Sequence, residues 1–461
     1  MNSNLSYFME RVQGVSTTYF KLLPQNSTTA TPNQQIRFAL PSNALINMRS
    51  LALLFQATTS GANAGARLPA GISSLIDRYE ILAGGVQISQ GFSLYNVLVK
   101  AKEALEGSKC DATLGHPEIV RGRSYIDGVA IAGTNNEEYA PPNQGTQFGI
   151  THFEGFLGSV EPGVIDTSIL PDLTLVIYTA GNEVLSSSAG PDLQGTGAGT
   201  DITAAGAGGA SYSLSGIHLN LEVIGLASAV YDTLIAKRIS ETGFIELPFK
   251  SYQSFVDSHT GATKFSVSCQ SLDRIWVAFR TAGYDAQGAP VVVDGHKVAG
   301  AFAAATSGGG VTQDVGKPQF DIGGTLNTNS EKYRGKFFNF SCMAAAVGVN
   351  PTYQMQLNGS FMPQFQITPE EVYAMSMNSV DRSYSPHMTL GQYLLNNFVQ
   401  CYRLCLPGSS TRSLTGTDTR GINLMGSFNS TGVTPNTNLV IWAEMTSSLR
   451  VGANRAIEVI L

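Results

Sequence analysis

Two similar stretches occur in this chain, SSLIDRYEILAGG at residues 73–85 and QSLDRIWVAFRTAG at residues 270–283. In each, serine and leucine precede an Asp-Arg pair, which leads into an apolar and aromatic run typical of a β-strand. Ser74 and Ser271 lie 197 residues apart. We interpret the two stretches as equivalent strand starts in two copies of one β domain, which places Arg78 and Arg274 on corresponding strands.

The length of the chain supports two domains. Single hydrophobic cores stop growing at roughly 250–300 residues, and this chain has 461. Two domains of about 200 residues fit both that length and the spacing of the repeated stretch. The sequence therefore predicts an N-terminal arm at residues 1–32, a first β domain at 33–240 and a second at 241–461.

Most of the chain consists of short strand-like runs separated by Gly, Pro, Asn and Ser. Ile36, Phe38 and Leu40 alternate with polar or small residues, which is the period of a half-buried strand. The double glycine of the first repeated stretch lies between two apolar runs and marks either a hairpin or a bulge. A second series of runs begins near Gly243, so each half of the chain is expected to be β-rich.

Helices are few in the predicted structure. Residues 93–105 carry apolar side chains at helical spacing, which predicts one helix, and another is expected within 389–398. The clearest helix spans 368–380, because Thr368 and Glu371 occupy the N-cap and N3 positions of a capping box with a proline after the cap. Isolated short helices of this kind connect strands in a β domain.

Two segments of low complexity interrupt the strands, at residues 186–211 and 288–319. Both are rich in Gly and Ala and contain few large apolar side chains. Such segments bury little surface, so they are predicted to be exposed loops.

The charge of the chain excludes several classes of function. Only 13% of residues are charged, about half the usual share, and the net charge is −6. The first thirty residues contain only Arg11 and Lys21 as cations, so the chain lacks a polybasic arm for nucleic-acid phosphates. It also lacks a cationic leader with a long apolar run and any stretch of about eighteen apolar residues. We expect synthesis in the cytosol and no sequence-specific nucleic-acid binding.

The five cysteines are scattered, which favours reduced thiols. Cys401 and Cys405 form a single C-x3-C pair with no second pair or nearby histidine, so buried packing is favoured over a zinc site.

Familiar catalytic patterns are absent from the sequence. It contains no P-loop, no H-E-x-x-H and no G-x-S-x-G, and its six histidines are dispersed. No catalytic, cofactor-binding or metal-binding residue is predicted, and the protein is expected not to be an enzyme. Arg78 and Arg274 are read as structural, through ion pairs or carbonyl contacts, rather than as anion contacts. Trp276 and Trp442 lie in apolar runs, which favours core packing over glycan binding.

The order of these features resembles the double jelly-roll major capsid proteins of double-stranded DNA viruses. That lineage includes adenoviral hexon, virophages, polinton-like viruses and the nucleocytoplasmic large DNA viruses. Four stretches carry the resemblance. QQIRFALPSNALINMRSLALLFQ (34–56) is similar to the first two strands, B and C, and SSLIDRYEILAGGVQISQGFSLYNVL (73–98) to the next strand with its turn and helix. VYDTLIAKRISETGFIELPFKSYQSF (230–255) is similar to the crossing into the second jelly roll, and NLVIWAEMTSSLRVGANRAIEVIL (438–461) to the last strands.

The resemblance implies an all-β chain of two tandem eight-stranded antiparallel jelly rolls, with a few short helices in loops between strands. It implies a major capsid protein whose homotrimers form pseudo-hexagonal capsomers that tile an icosahedral virion. The implied partners are neighbouring capsomers, penton and minor capsid proteins. The arm at 1–32 is expected beneath the shell, in contact with cement proteins or an inner membrane. The helices at 93–105 and 368–380 are expected near contacts between subunits.

Two other classes remain open from the residues alone. Another β-rich viral structural protein, such as a spike, a fibre or a carbohydrate-binding pair of jelly rolls, would expose an aromatic groove. A glycoside hydrolase on a β-sandwich would need two carboxylates that converge in a cleft.

Overall fold

The computed structural model describes the greater part of the chain as strands with a few helices. The described residues are 15–60, 66–67, 72–89, 93–106, 146–184, 186–187, 211–226, 235, 237, 239–280, 340, 349–380, 390, 393–394, 397–407, 413–420 and 424–461.

The first half of the chain forms two antiparallel sheets. Its strands are β1 (Val15–Leu22), β2 (Gln35–Ala39), β3 (Leu45–Ser60), β4 (Ala66–Arg67), β5 (Ile76–Ala83), β6 (Val86–Gln87), β7 (Thr146–Ile150), β8 (Val164–Asp166), β9 (Leu173–Thr179), β10 (Ser186–Ser187) and β11 (Ser211–Leu226). One sheet has the order β1-β11-β3-β7, with β8 also paired to β3, and the other has the order β2-β9-β5-β6. Strands β4 and β10 form a separate two-stranded ribbon.

The second half repeats this arrangement. Its strands are β12 (Phe244–His259), β13 (Ala262–Val267), β14 (Leu272–Arg280), β15 (Thr352–Leu357), β16 (Ser360–Ile367), β17 (Val399–Arg403), β18 (Leu424–Thr431), β19 (Thr437–Gly452) and β20 (Ile457–Ile460). The sheets have the orders β12-β19-β14-β17, extended by β20 on β19, and β13-β18-β15-β16.

These strand orders define two jelly rolls. Each half has eight main strands, which are β1, β2, β3, β5, β6, β7, β9 and β11 in the first half and β12 to β19 in the second. In both halves the first, third, sixth and eighth of these strands along the chain form one sheet, and the other four form the second sheet. Every strand pair within them is antiparallel. The predicted fold, two tandem eight-stranded antiparallel jelly rolls, is confirmed.

Burial follows the alternation of the strands. In β2, Ile36 and Phe38 are buried between exposed or half-buried neighbours, because one face of the sheet covers the core. By contrast, every residue of β14 is buried, and so are most residues of β19. Both faces of β14 are covered: its inner face by the opposite sheet of the second jelly roll, and its outer face by Lys102 of the first jelly roll at Trp276 and by the end of the helix Pro369–Ser379 at Arg274.

The repeated stretch does not mark equivalent strands. Arg78 lies on β5, the fourth of the eight main strands, whereas Arg274 lies on β14, which is the third and belongs to the other kind of sheet. The expectation that Arg78 and Arg274 occupy corresponding strands is therefore wrong. A polar pair at the start of a buried strand is a local feature that serves any such strand, so its recurrence does not identify strand position.

The first strand also lies earlier than the resemblance suggested. Residues 34–56, expected to hold the first two strands, contain β2 and β3, the second and third. The first strand is β1, within the range 1–32 that was predicted as an arm. The sequence did not predict β1 because residues 16–21 are all exposed, so the strand does not need the alternation of apolar and polar side chains by which strands are recognised. Strand pairing in the described residues stays within 15–226 and within 244–460, and the boundary near 240 stays a prediction.

The helices predicted at 93–105 and 368–380 are present as α1 (Tyr95–Glu106) and α3 (Pro369–Ser379). A short helix that was not predicted, α2 (Phe156–Ser159), lies between them in the chain, and the described residues 239–242 are also helical. At the start of α3, the Thr368 backbone N–H donates to Glu371 Oε2 at 2.8 Å, as the capping box predicts. Within the third predicted helix, the described residues Leu390, Tyr393 and Leu394 are helical.

The double glycine forms a hairpin turn rather than a bulge. Gly84 and Gly85 connect β5 to β6 with φ values of 54° and 88°. Two successive positive φ angles characterise the two-residue turns that match the twist of a hairpin, and glycine adopts them without strain.

Each jelly roll has two distinct ends. Ser60 pairs with Ser211, and Arg280 pairs with Asn438, so the connections that follow β3 and β14 leave from one end, here called the loop end. At the opposite end, here called the terminal end, Val15 pairs with Leu226 and the Gln270 N–H donates to the Leu461 carbonyl at 2.9 Å. Most of 186–211 and all of 288–319 lie outside the described residues, so their exposure stays a prediction.

The capping box of α3 gives a first test. Replacing Thr368 by Ala removes the N-cap side chain and is expected to cost about 1 kcal/mol of local stability. Backbone amides in the first turn of α3 should then exchange with deuterium about fivefold faster. Asn378→Ala, at the exposed C-terminal end of the same helix, is the matched control. Equal exchange in both variants would show that the cap does not hold this helix.

Candidate functional site

Buried polar contacts are concentrated where the two jelly rolls meet, a region here called the junction. The junction comprises α1 and residues 151–161 of the first jelly roll, together with the outer face of the sheet β12-β19-β14-β17 of the second. At its rim, the Glu161 N–H donates to the Pro248 carbonyl at 2.9 Å, and the Lys250 N–H donates to Ser159 Oγ at 2.7 Å. The rings of Phe156 and Phe249 meet edge to face, 5.0 Å apart.

Lys102 lies at the centre of the junction. Helix α1 buries Val97, Leu98, Ala101 and Leu105 completely, and this packing carries Lys102 inside with them, leaving its side chain only 8% exposed. A buried ammonium group needs partners to replace water.

Both jelly rolls supply those partners. Lys102 Nζ donates to Glu154 Oε2 at 2.7 Å and to the Tyr252 hydroxyl at 3.0 Å, and it lies 5.7 Å from the Trp276 ring. Burial works against the charged form of Lys102, but Glu106 and Glu154 outweigh it and raise its pKa well above the ordinary value. The ammonium group therefore stays charged while it connects the two halves of the chain.

Glu444 forms the second half of the network. It lies on β19 with a side chain only 2% exposed, accepts from Arg274 Nη1 at 3.0 Å and from Trp276 Nε1 at 2.8 Å. Burial alone would raise the pKa of Glu444, but Arg274, Lys102 and Lys250 together lower it to about 2. The carboxylate is thus ionised throughout the physiological range.

Arg274 fits the structural interpretation made from the sequence. It pairs with Glu444, and its Nε donates to the carbonyl of Ser379 at the end of α3, at 3.2 Å. Its neighbour Asp273 accepts from Lys250 Nζ at 2.6 Å. Both kinds of contact expected at this position, an ion pair and a carbonyl contact, are present.

Arg78 has a different environment. Its side chain is 43% exposed, its guanidinium lies 4.1 Å from the centre of the Tyr178 ring, and its Nε lies 3.6 Å from Glu80 Oε1. These contacts lie along the outer face of its own sheet.

The two tryptophans are core residues. Trp276 and Trp442 are fully buried and occupy paired positions on the neighbouring strands β14 and β19. Neither ring is accessible to a glycan, so core packing, the favoured interpretation, is confirmed.

The described cysteines are packing residues as well. Cys269 and Cys401 are buried, and burial raises the pKa of both thiols. Cys405 is half-buried, whereas Cys110 and Cys342 lie outside the described residues. Among the described residues, no three His, Cys, Asp or Glu side chains are grouped to hold a metal ion. No described helix is both long enough and apolar enough to cross a membrane.

A buried histidine joins the two sheets of the second jelly roll. His259, at the end of β12, contacts Thr263 Oγ1 through Nδ1 at 2.7 Å and Ser430 Oγ through Nε2 at 2.6 Å. The rings of Phe279 and Phe428 pack beside it. Burial lowers the pKa of His259, and the more distant Asp257 offsets this only in part.

Sequence reasoning did not identify the junction residues Lys102, Glu154, Tyr252 and Glu444. One signal was present, because Glu444 is a single carboxylate within the apolar run LVIWAEM, and a charge in such a run requires a buried partner. The identity of that partner could not be inferred, since Arg274 is 170 positions away. Chemically, the junction presents a set of paired charges sealed from solvent, which joins two domains.

Comparison with known proteins supports the same architecture. No protein-family model matches the chain, and no curated protein matches it by sequence. Solved structures do match it over nearly its full length. PBCV-1 VP54, fitted into a reconstruction of the virophage Sputnik, shares 14% identity, covers 99% of both chains and has a TM-score of 0.57. The Sputnik virophage structure shares 12% identity over 100% of this chain and 92% of that chain, with a TM-score of 0.52. The Faustovirus major capsid protein shares 11% identity over 98% and 93%, with a TM-score of 0.50.

The chain is therefore a double jelly roll. It has the fold of the major capsid proteins of double-stranded DNA viruses, as found in PBCV-1, Sputnik and Faustovirus. Of these structural neighbours, the Faustovirus protein is a major capsid protein.

Removing the charge of Lys102 tests the junction. Lys102→Met leaves Glu154 and Glu444 buried with fewer counter-charges, and breaking a buried pair in this way costs about 3–5 kcal/mol. We expect the urea midpoint of unfolding to fall accordingly. Lys237→Met is the control, since Lys237 is 68% exposed beside Glu241 and such a surface pair contributes at most about 1 kcal/mol. Similar midpoints for the two variants would contradict the assigned role of Lys102.

His259 predicts a pH dependence of stability. Its folded-state pKa lies below the ordinary value of 6.5, so the unfolded chain binds the proton more readily. The stability contributed by neutral His259 is complete above pH 6.5 and is lost as the pH falls through 6.5 toward the folded-state pKa. His259→Gln should flatten this part of the curve when unfolding is measured by denaturant titration between pH 7.5 and 5. An unchanged slope would exclude His259 as its source.

Proposed function

We propose that this protein is a major capsid protein whose homotrimers form pseudo-hexagonal capsomers of an icosahedral virus shell. The observation that carries the proposal is the double jelly roll itself, with the same strand order in both halves and a sealed, charged junction between them. The capsid role of the structural neighbours supports it.

The duplicated fold has a physical use in such a shell. Three copies bring six similar domains around one threefold axis, so a trimer presents nearly sixfold edges to its neighbours. A junction that holds the two domains at one angle is needed for this arrangement, because a hinge between them would prevent regular packing. The hydrogen bond from Lys102 Nζ to the Tyr252 hydroxyl supplies such a connection, together with the backbone contacts of Glu161 and Lys250 at the rim.

The two ends of the fold suit the two sides of a shell. The first described strand starts at the terminal end and residue 461 lies there too, while the connections after β3 and β14 leave from the loop end. The terminal ends of the two jelly rolls lie side by side, because Arg455 Nη2 donates to Asn43 Oδ1 at 3.4 Å. In the proposed shell the terminal end faces inward and the loop end outward.

The proposed partners follow from this orientation. Neighbouring capsomers and pentons contact the sides of the trimer, and minor capsid proteins contact its inner surface. The residues before β1 lie under the shell, where they contact cement proteins or an inner membrane. The protein is made in the host cytosol and acts in the virion, without sequence-specific nucleic-acid binding.

Assembly of the purified protein tests the proposal. Light scattering should give a mass of about 150 kDa, three times the 48.9 kDa chain. Negative-stain images should show compact blocks of near-hexagonal outline. A protein that remains monomeric at micromolar concentration and shows no such blocks would contradict the proposal.

A further inference from the structure

The outer face of the second jelly roll carries a row of three side chains across its strands. Tyr252 on the first strand, β12, pairs with Glu444 on the last strand, β19, which pairs with Arg274 on the third strand, β14. The row lies in the junction, where Tyr252 is 1% exposed and Glu444 2%. Its covering comes from the first jelly roll.

The first jelly roll carries a matching row at the same strand positions. Tyr19 on β1 pairs with Glu222 on β11, which pairs with Asn47 on β3. Asn47 Nδ2 donates to Glu222 Oε2 at 2.6 Å, in the place where Arg274 donates to Glu444 in the other jelly roll. The two rows thus share a tyrosine, a glutamate and a polar donor in one order.

The two matching rows differ in how exposed their tyrosine side chains are. Tyr19 is 73% exposed, whereas its counterpart Tyr252 is buried. Phe20, on the opposite face of β1, is 45% exposed although its partner Leu221 is fully buried, and Leu23 just beyond the strand is 60% exposed. Aromatic side chains exposed on both faces of one strand indicate a surface that is buried in an assembly.

The edge of β1 that is unpaired in the described residues also indicates a surface for assembly. In the described residues β1 pairs only with β11, through eight consecutive residues without a register shift and without proline. Edge strands that must stay unpaired usually carry an interruption, as β16 does with Pro363 and a register shift opposite it. Along its described length β1 has neither a proline nor a register shift, and Lys21 is its only charged residue.

The junction shows what covers the corresponding strand. Against β12 lies the segment between β7 and β9, which contributes the contacts of Ser159 and Glu161 and the Phe156 ring. In the second jelly roll the equivalent segment lies between β17 and β18. Its described residues expose Leu406 by 65% and Leu414 by 51%.

We propose that β1 and the Tyr19–Glu222 row of one chain are covered by residues 404–407 and 413–420, between β17 and β18, of a second copy of this chain. The contact inside the chain is then repeated between chains, with the second jelly roll of one copy in the place of the first. Repetition of one such head-to-tail contact produces a closed ring when its rotation closes. This inference rests on the proposed trimer and assigns the surfaces that form it.

Crosslinking from position 19 tests the assignment directly. A photoreactive phenylalanine analogue replaces Tyr19 in the full-length chain, and nitrogen-15-labelled and unlabelled chains are mixed before irradiation. Mass spectrometry should find crosslinked peptides of mixed label that contain residues 404–420. Crosslinks from position 19 to any other part of the partner chain, or only within one chain, would overturn the assignment.

Matched substitutions measure the contribution of the surface. Tyr19→Asp places a charge on the proposed contact, and removing a central aromatic anchor typically weakens association by about tenfold or more. Met425→Asp is the control, because Met425 is 61% exposed on the outer face of the other kind of sheet, away from both matching rows. The trimer fraction should fall for Tyr19→Asp and not for Met425→Asp, with unchanged circular dichroism in both.

The possible failures are distinguishable. If the native chain forms trimers and Tyr19→Asp forms them equally well, the surface assignment is wrong and the capsid proposal stands. If the native chain forms no trimers, the proposed function fails first.

Discussion

The buried polar network where the two jelly rolls meet, linked across the contact by the hydrogen bond from Lys102 to the Tyr252 hydroxyl, is the constraint on which the rest of the structure depends. Lys102 from the first jelly roll reaches Glu154 and Tyr252, and Glu444 and Arg274 complete the set from the second. Because each of these groups is removed from water, each must meet its partner at hydrogen-bonding distance. The contacts that cross between the domains, from Lys102 to the Tyr252 hydroxyl and from the Lys250 N–H to Ser159, are therefore satisfied in one relative position, whereas an apolar contact of equal area would tolerate sliding.

Stability alone does not explain such a network. Burying an ion pair costs solvation that the mutual attraction only partly returns, and well-packed apolar residues of similar size are often as stable. We therefore interpret the junction as a device for specificity, which fixes the angle between domains. A shell subunit needs this property, since small angular errors add up across many copies. Full burial of β14 and β19 on both faces follows from the same requirement.

Local patterns in the sequence predicted local structure well. The capping box at Thr368 and the apolar spacing of α1 identified both long helices, and alternation identified most strands, because each signal depends on residues within one turn or one face. The sequence did not predict strand β1 or the junction, for two different reasons. The strand exposes both faces and so has no alternation, and the junction joins residues such as Lys102 and Glu444 that only the folded chain brings together. The repeated Ser-Leu and Asp-Arg stretch misled because a shared local start was taken for a shared strand position.

The true correspondence between the two jelly rolls is in strand order and in the matched rows of Tyr19 with Glu222 and Tyr252 with Glu444. These rows explain why duplicated domains in one chain diverge. The second jelly roll meets its neighbour inside the chain, where contact is permanent, so its row can recruit buried charges such as Arg274. In the proposed trimer the first jelly roll folds before its neighbour arrives, and its row accordingly has the neutral Asn47 and an exposed aromatic residue. An Arg–Glu pair in that place would be hydrated before assembly and would have to lose that hydration when the neighbour covers it, and a neutral amide reduces this cost.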